Sequence, residues 1–101
     1  MLTKDEARAL VVAELEKKMA HGYPSRPKDL VVVDDGTIER LWGWVFFYNS
    51  ARYLKTGNFL HALLGNAPFI VNRNTGEVRV TGTAYPTEYY ISEYERSLGR
   101  R

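Results

Sequence analysis

The sequence predicts an α+β fold: a single domain over residues 1–101, with an antiparallel sheet of about four strands. Helices at the two ends flank the sheet, and a short helical connector interrupts the strand region. Three observations carry this. The run Gly43-Trp44-Val45-Phe46-Phe47-Tyr48-Asn49-Ser50 is apolar at alternate positions of both parities, so it belongs mid-sheet with something packed on each face. Glu77-Val78-Arg79-Val80-Thr81 alternates strictly, the pattern of a strand with one wet face near a sheet edge. The longer helical patterns lie at the two ends of the chain, and runs of consecutive strands bracketed by helices favour an α+β arrangement.

The first helix opens on Thr3 and Glu6, a capping-box pair. Ala7, Leu10, Val11, Leu15 and Met19 then share one side at helical spacing. His21 falls in the last turn, Gly22 suits a left-handed cap, and Pro24 stops continuation. Residues Tyr23 to Lys28, with two prolines, read as a connector. Leu30 to Val33 is a β-branched strand. Asp34-Asp35-Gly36-Thr37 is expected to turn it back as a hairpin, since Asp-Gly is a strong hairpin signal. Ile38 to Tyr48 would then continue as strand, with a bulge at Trp42-Gly43-Trp44.

Ala51 to Lys55 reads as a helical turn ended by Thr56-Gly57. Asn58 would cap a second short helix, Phe59 to Leu64, terminated by Gly65-Asn66. Phe69-Ile70-Val71 is a strand, Asn72 to Gly76 a turn, and Glu77 to Thr81 the returning strand. Pro86 fits the first turn of the last helix, where its missing N–H costs nothing. Tyr90, Ile91, Tyr94 and Leu98 make its apolar stripe, with Glu88 and Arg96 matching the helix dipole.

Composition bounds the function. The chain is 45% hydrophobic and 26% charged, ordinary globular content that builds one core unaided. Absent cysteines exclude disulfides and thiolate zinc sites. The charged start lacks a signal-peptide core and no apolar run reaches bilayer length, so the expected location is cytoplasmic, with no membrane partner. A net charge of +2 is too small for a nucleic-acid footprint. It is unevenly spread: residues 1–50 hold seven basic and eight acidic groups, residues 51–101 seven and four.

Chemistry-bearing motifs are sparse. His21 and His61 stand alone, without the carboxylate spacing of a metal site. Ser25, Ser50, Ser92 and Ser97 sit in no nucleophile-elbow context. Asp34-Asp35 is explained by its turn, and Glu93 with Glu95 by a polar helix face. The glycines are dispersed singly, with no phosphate-loop spacing. No cofactor, catalytic residue or metal ligand is expected. Seven tyrosines and two tryptophans exceed what one small core needs, which points to surface aromatics as protein-binding anchors. Trp42, Tyr48, Tyr53, Tyr89 and Tyr94 are the candidates, with Arg52 beside Tyr53.

The order Gly43-Trp44-Val45-Phe46-Phe47-Tyr48, Tyr53 to Gly57, Leu64 to Val71, Thr75-Gly76-Glu77-Val78, Gly82-Thr83-Ala84 with Pro86, and Tyr90-Ile91 with Tyr94-Glu95 resembles the YrhB-like, immunity protein 35 family. Gly-Asn-Ala-Pro before an apolar strand, then Thr-Gly-Glu, is the more specific part. The resemblance implies a small bacterial α+β protein that binds and neutralises a cognate toxin by steric occlusion, without catalysis. An unfolded client protein, met in a chaperone-like role, is the alternative partner it implies, and homodimerisation is compatible with both. Trp44, Gly65, Asn66, Pro68, Gly76, Gly82 and Pro86 carry over as motif positions whose expected role is structural. The expected partner-binding set is Asp34, Asp35, Trp42, Tyr48, Arg52 and Tyr53. Immunity proteins against nucleases are often acidic and this chain is net positive, so the expectation is either a toxin that is not a strongly basic nuclease or a local acidic patch such as Asp34, Asp35 and Glu39.

Overall fold

The computed structural model describes residues 1–20, 29–58 and 67–99. Among these residues, three helices and six strands follow in the order α1 (Lys4–Ala20), β1 (Leu30–Val32), β2 (Ile38–Arg40), β3 (Gly43–Phe46), β4 (Tyr48–Ser50), α2 (Ala51–Thr56), β5 (Phe69–Asn72), β6 (Val78–Val80) and α3 (Thr87–Ser97). All ladders are antiparallel, in a two-stranded sheet β1-β4 and a four-stranded sheet β2-β3-β5-β6. The expected α+β class holds. His21, Gly22, Pro24, the Tyr23–Lys28 connector and the Phe59–Leu64 helix with Gly65 and Asn66 lie outside the described residues.

β3 sits mid-sheet, as its two-sided apolar pattern requires. Trp44 and Phe46 face α1, packing with Phe69, Val71, Ala7, Val11 and Leu15. Val45 faces the other way and joins Ile70, Ile91, Tyr94 and Trp42 beneath α3. The alternation of one strand therefore feeds two cores. β6 is the edge strand its alternation predicts.

The capping box forms at the start of α1: the Glu6 N–H donates to Thr3 Oγ1 (3.1 Å) and the Thr3 N–H to Glu6 Oε1 (2.8 Å). Leu10 departs from its expected place and is exposed, while Leu2, Val12 and Met19 pack at the core margin. The apolar stripe is narrower than the spacing suggests, because α1 spans both sheets and meets them along one seam. At the far end of α3, Leu98 is likewise exposed, and Pro86 is the residue before the helix rather than within its first turn.

The Asp-Gly hairpin does not form. Asp34–Gly36 is a turn of 3₁₀ helix, and β1 pairs with β4 instead of β2. Two interactions outcompete the hairpin: Arg8 draws Asp34 toward α1, and the Val33 N–H extends the β1 ladder to the Phe47 carbonyl (2.8 Å). The real hairpin is β2-β3, turning at Leu41-Trp42, so the expected continuous strand Ile38 to Tyr48 is three strands. No bulge occurs there. Gly43 is needed for another reason: its φ is 152°, and a Cβ would stand 1.9 Å from the Val71 carbonyl oxygen on β5.

Candidate interaction surface

The structure divides the sequence-derived binding candidates between core and surface. Trp42 and Tyr48 are only 2% and 6% exposed. This corrects their expected place on the surface. The Leu41-Trp42 turn tucks the indole beneath α3, edge-on to Tyr94 at 4.8 Å, and its Nε1–H donates to Glu95 Oε2 (2.9 Å). Tyr48 faces α1 and lies 5.4 Å from the Phe69 ring. Tyr94 is buried too. Its hydroxyl accepts from Asn72 Nδ2 (3.0 Å) and donates to Glu77 Oε1 (3.3 Å). Burial raises the phenol pKa, so the proton stays in place for that donation.

The acidic turn is largely neutralised. Arg8 grips Asp34 through two bonds, Nε to Oδ1 at 2.7 Å and Nη2 to Oδ2 at 3.2 Å. Those bonds hold the Asp34 carboxyl below the usual carboxylate range and raise the guanidinium. Glu39 pairs with Arg73 (3.2 Å). Asp35 alone of the three has no ion-pair partner among the described residues. A free three-carboxylate patch is therefore not what the fold presents.

Arg52 and Tyr53 lie on α2, where Arg52 is exposed and Tyr53 half-buried. The helix is anchored at its start. Ser50 Oγ accepts from the Tyr53 N–H (3.3 Å) and donates to Asp29 Oδ2 (2.8 Å), which also accepts from the Arg52 N–H (2.9 Å). These hydrogen bonds, the Arg52 N–H first, keep the Asp29 carboxyl below its ordinary range. Gly57 closes α2 with φ 71°.

Sequence reasoning named Tyr89 but not the group it belongs to. Tyr85 and Tyr89 stack at 4.4 Å between centroids, and Tyr89 meets Tyr90 edge-on at 5.3 Å. Tyr85 is 57% exposed and Tyr89 44%. The Tyr90 hydroxyl accepts from the N–H groups of Ala84 (3.1 Å) and Tyr85 (3.3 Å), which ties the preceding loop to the helix. Gly82 makes room for that hydroxyl, since a Cβ there would lie 2.6 Å from it. Beside Tyr85 runs an open groove of about 440 Å³, walled by Phe47, Tyr48, Pro68 and Pro86 with Asn49 and Thr83 at its polar positions. The spacing of Tyr85, Tyr89 and Tyr90 at one helix start was the available signal.

The other motif positions are structural in detail. Trp44 is buried under the Arg73 guanidinium, 4.6 Å from its ring. Buried Pro68 offers its carbonyl to the Thr81 N–H and hydroxyl. Gly76 has φ 75° in the β5-β6 turn. Among the described residues, no group of three His, Cys, Asp or Glu is placed to hold a metal ion. None of the described helices is long and apolar enough to cross a membrane.

The family model described as immunity protein 35 matches residues 5–96. The uncharacterized protein YrhB of Escherichia coli (strain K12) is 43% identical over 53 residues, 52% of this chain and 56% of that protein. The chain thus spans little over half the length of this curated relative. No solved structure matches. With nearly its whole length from α1 to α3 accounted for by one family model, the chain belongs to the immunity protein 35 family.

Proposed function

We infer that this chain neutralises a cognate toxin in the cytoplasm by covering it, with no bond made or broken. The family itself implies a toxin-neutralising role and is generally non-catalytic. The observation that supports a surface role is the Tyr85-Tyr89 pair, two exposed aromatics in ring contact, of which Tyr85 lines the groove. Tyrosines so placed supply large contact area at small entropic cost. Arg52 and Tyr53 on α2, and Asp34 and Asp35 on the acidic turn, are rim groups in this reading, and Trp42 and Tyr48 support it from within.

The test is capture of the neighbouring gene's product by the tagged chain, then titration with the double substitution Tyr85→Ala, Tyr89→Ala. Loss of two anchors weakens binding by about a hundredfold, from roughly 1–2 kcal/mol each. Unchanged affinity moves the site elsewhere. Equal protection of many unfolded proteins, with no preference for the neighbour, establishes the chaperone-like reading instead.

A further inference from the structure

The outer edge of β6 has no strand partner among the described residues. β6 ends the four-stranded sheet and, among the described residues, pairs with β5 alone. The Thr81 N–H bonds to the Pro68 carbonyl and the Asn72 N–H to the Glu77 carbonyl. By alternation, residues 77, 79 and 81 turn their backbone groups toward β5, and Val78 and Val80 turn theirs outward. Val80 is 55% exposed. Proline, lysine and bulges are missing from Glu77-Val78-Arg79-Val80, and the two charges it carries, Glu77 and Arg79, are of opposite sign, so they do not repel a second copy in every register.

We propose that this edge pairs with the same edge of a second copy of the chain, antiparallel and centred on Val78. The side chains choose that register. Centring on Arg79 would set Arg79 against its own copy, and like charges directly opposite are destabilising. Centring on Val78 sets Glu77 opposite Arg79 of the second copy, twice, at the closely spaced positions of the ladder. Glu77 and Arg79 already share one face, 3.0 Å apart, so the dimer builds a four-membered, alternating charge cluster. The ladder does not reach Gly76, which has φ 75° and gives its N–H to the Asn72 carbonyl (2.9 Å) within its own turn, so the pairing is confined to Val78 and the two flanking charge pairs. The ladder is short, so its area stays below the roughly 1,200 Å² of durable complexes and the dimer is a weak one. This inference does not rest on toxin binding.

Sedimentation across a concentration series tests it. The wild-type chain shifts from monomer to dimer between micromolar and about millimolar concentration. Glu77→Arg and Arg79→Glu each weaken self-association by about tenfold or more, because each puts like charges opposite at both pairs. Mixing the two variants restores dimers at the wild-type level. In the mixed dimer the all-basic edge of one variant faces the all-acidic edge of the other, so both cross-strand pairs are again complementary. The same result shows that both variants fold. A wild-type chain still monomeric at about millimolar concentration overturns the proposal. So do single variants that dimerise as well as wild type, or a mixture no better than its components.

Discussion

The two cores on either side of β3 are built by different means. The α1 side is mostly apolar, with Ala7, Val11, Leu15, Phe46, Phe69 and Val71 packed beside Trp44 and Tyr48. The α3 side has fewer apolar groups, and hydrogen bonds position them: Trp42 to Glu95, and Asn72 through the Tyr94 hydroxyl to Glu77. The 17-residue α1 buries one residue in each of three successive turns, Ala7, Val11 and Leu15, so its seat rests mainly on packing. The 11-residue α3 buries only Ile91 and Tyr94, so direction-dependent bonds fix its seat. It follows that the α1 side supplies most of the stability, and the α3 side the orientation of the tyrosine face.

That contrast can be broken at graded cost. Phe46→Ala, fully buried under α1, loses about 3–5 kcal/mol, read by urea unfolding. Ile91→Ala, on the α3 side, loses about 2–5 kcal/mol and should fall below Phe46→Ala; equal losses would make the two cores equivalent. Tyr94→Phe costs about 1–3 kcal/mol, since Asn72 keeps a buried amide with one partner fewer. Its characteristic readout is increased mobility of Tyr89 and Tyr90 in NMR relaxation, which an α1-side change of equal cost should not produce.

The smallest effect separates sheet from helix connector. Asp29 has a depressed carboxyl pKa, so its contribution is complete above the unfolded value and lost as pH falls through the folded one. The acid limb below about pH 4 should therefore flatten in Asp29→Asn, measured as unfolding free energy against pH. The substitution also costs about 0.5–2 kcal/mol at neutral pH, through the weakened start of α2. An unchanged acid limb would assign that pH dependence to Asp34, whose carboxyl is depressed by Arg8.

Much of this was readable in the residues. The two-sided pattern of β3, the Val78-Val80 alternation and the Thr3-Glu6 box are local signals with one dominant outcome, and each appeared where expected. The Asp-Gly turn misled because its outcome depended on Arg8, 26 residues away, and on the Phe47 carbonyl. Trp42 and Tyr48 misled for a related reason. A strand pattern tells which side a residue faces, but burial depends on which helix lands there. The tyrosine group was half legible: Tyr89 stood out, but its stacking on Tyr85 needed the loop that the Tyr90 hydroxyl holds.

Gly43 and Leu41 stand two residues apart on the β2-β3 turn and answer to opposite rules. The first has a neighbouring strand's oxygen where its methyl would go, and the second is 82% exposed. A randomised library screened only for soluble expression should come back monomorphic at the glycine and nearly unbiased at the leucine. Any selection for leucine that then emerged under toxin challenge would be a footprint of recognition, uncontaminated by folding.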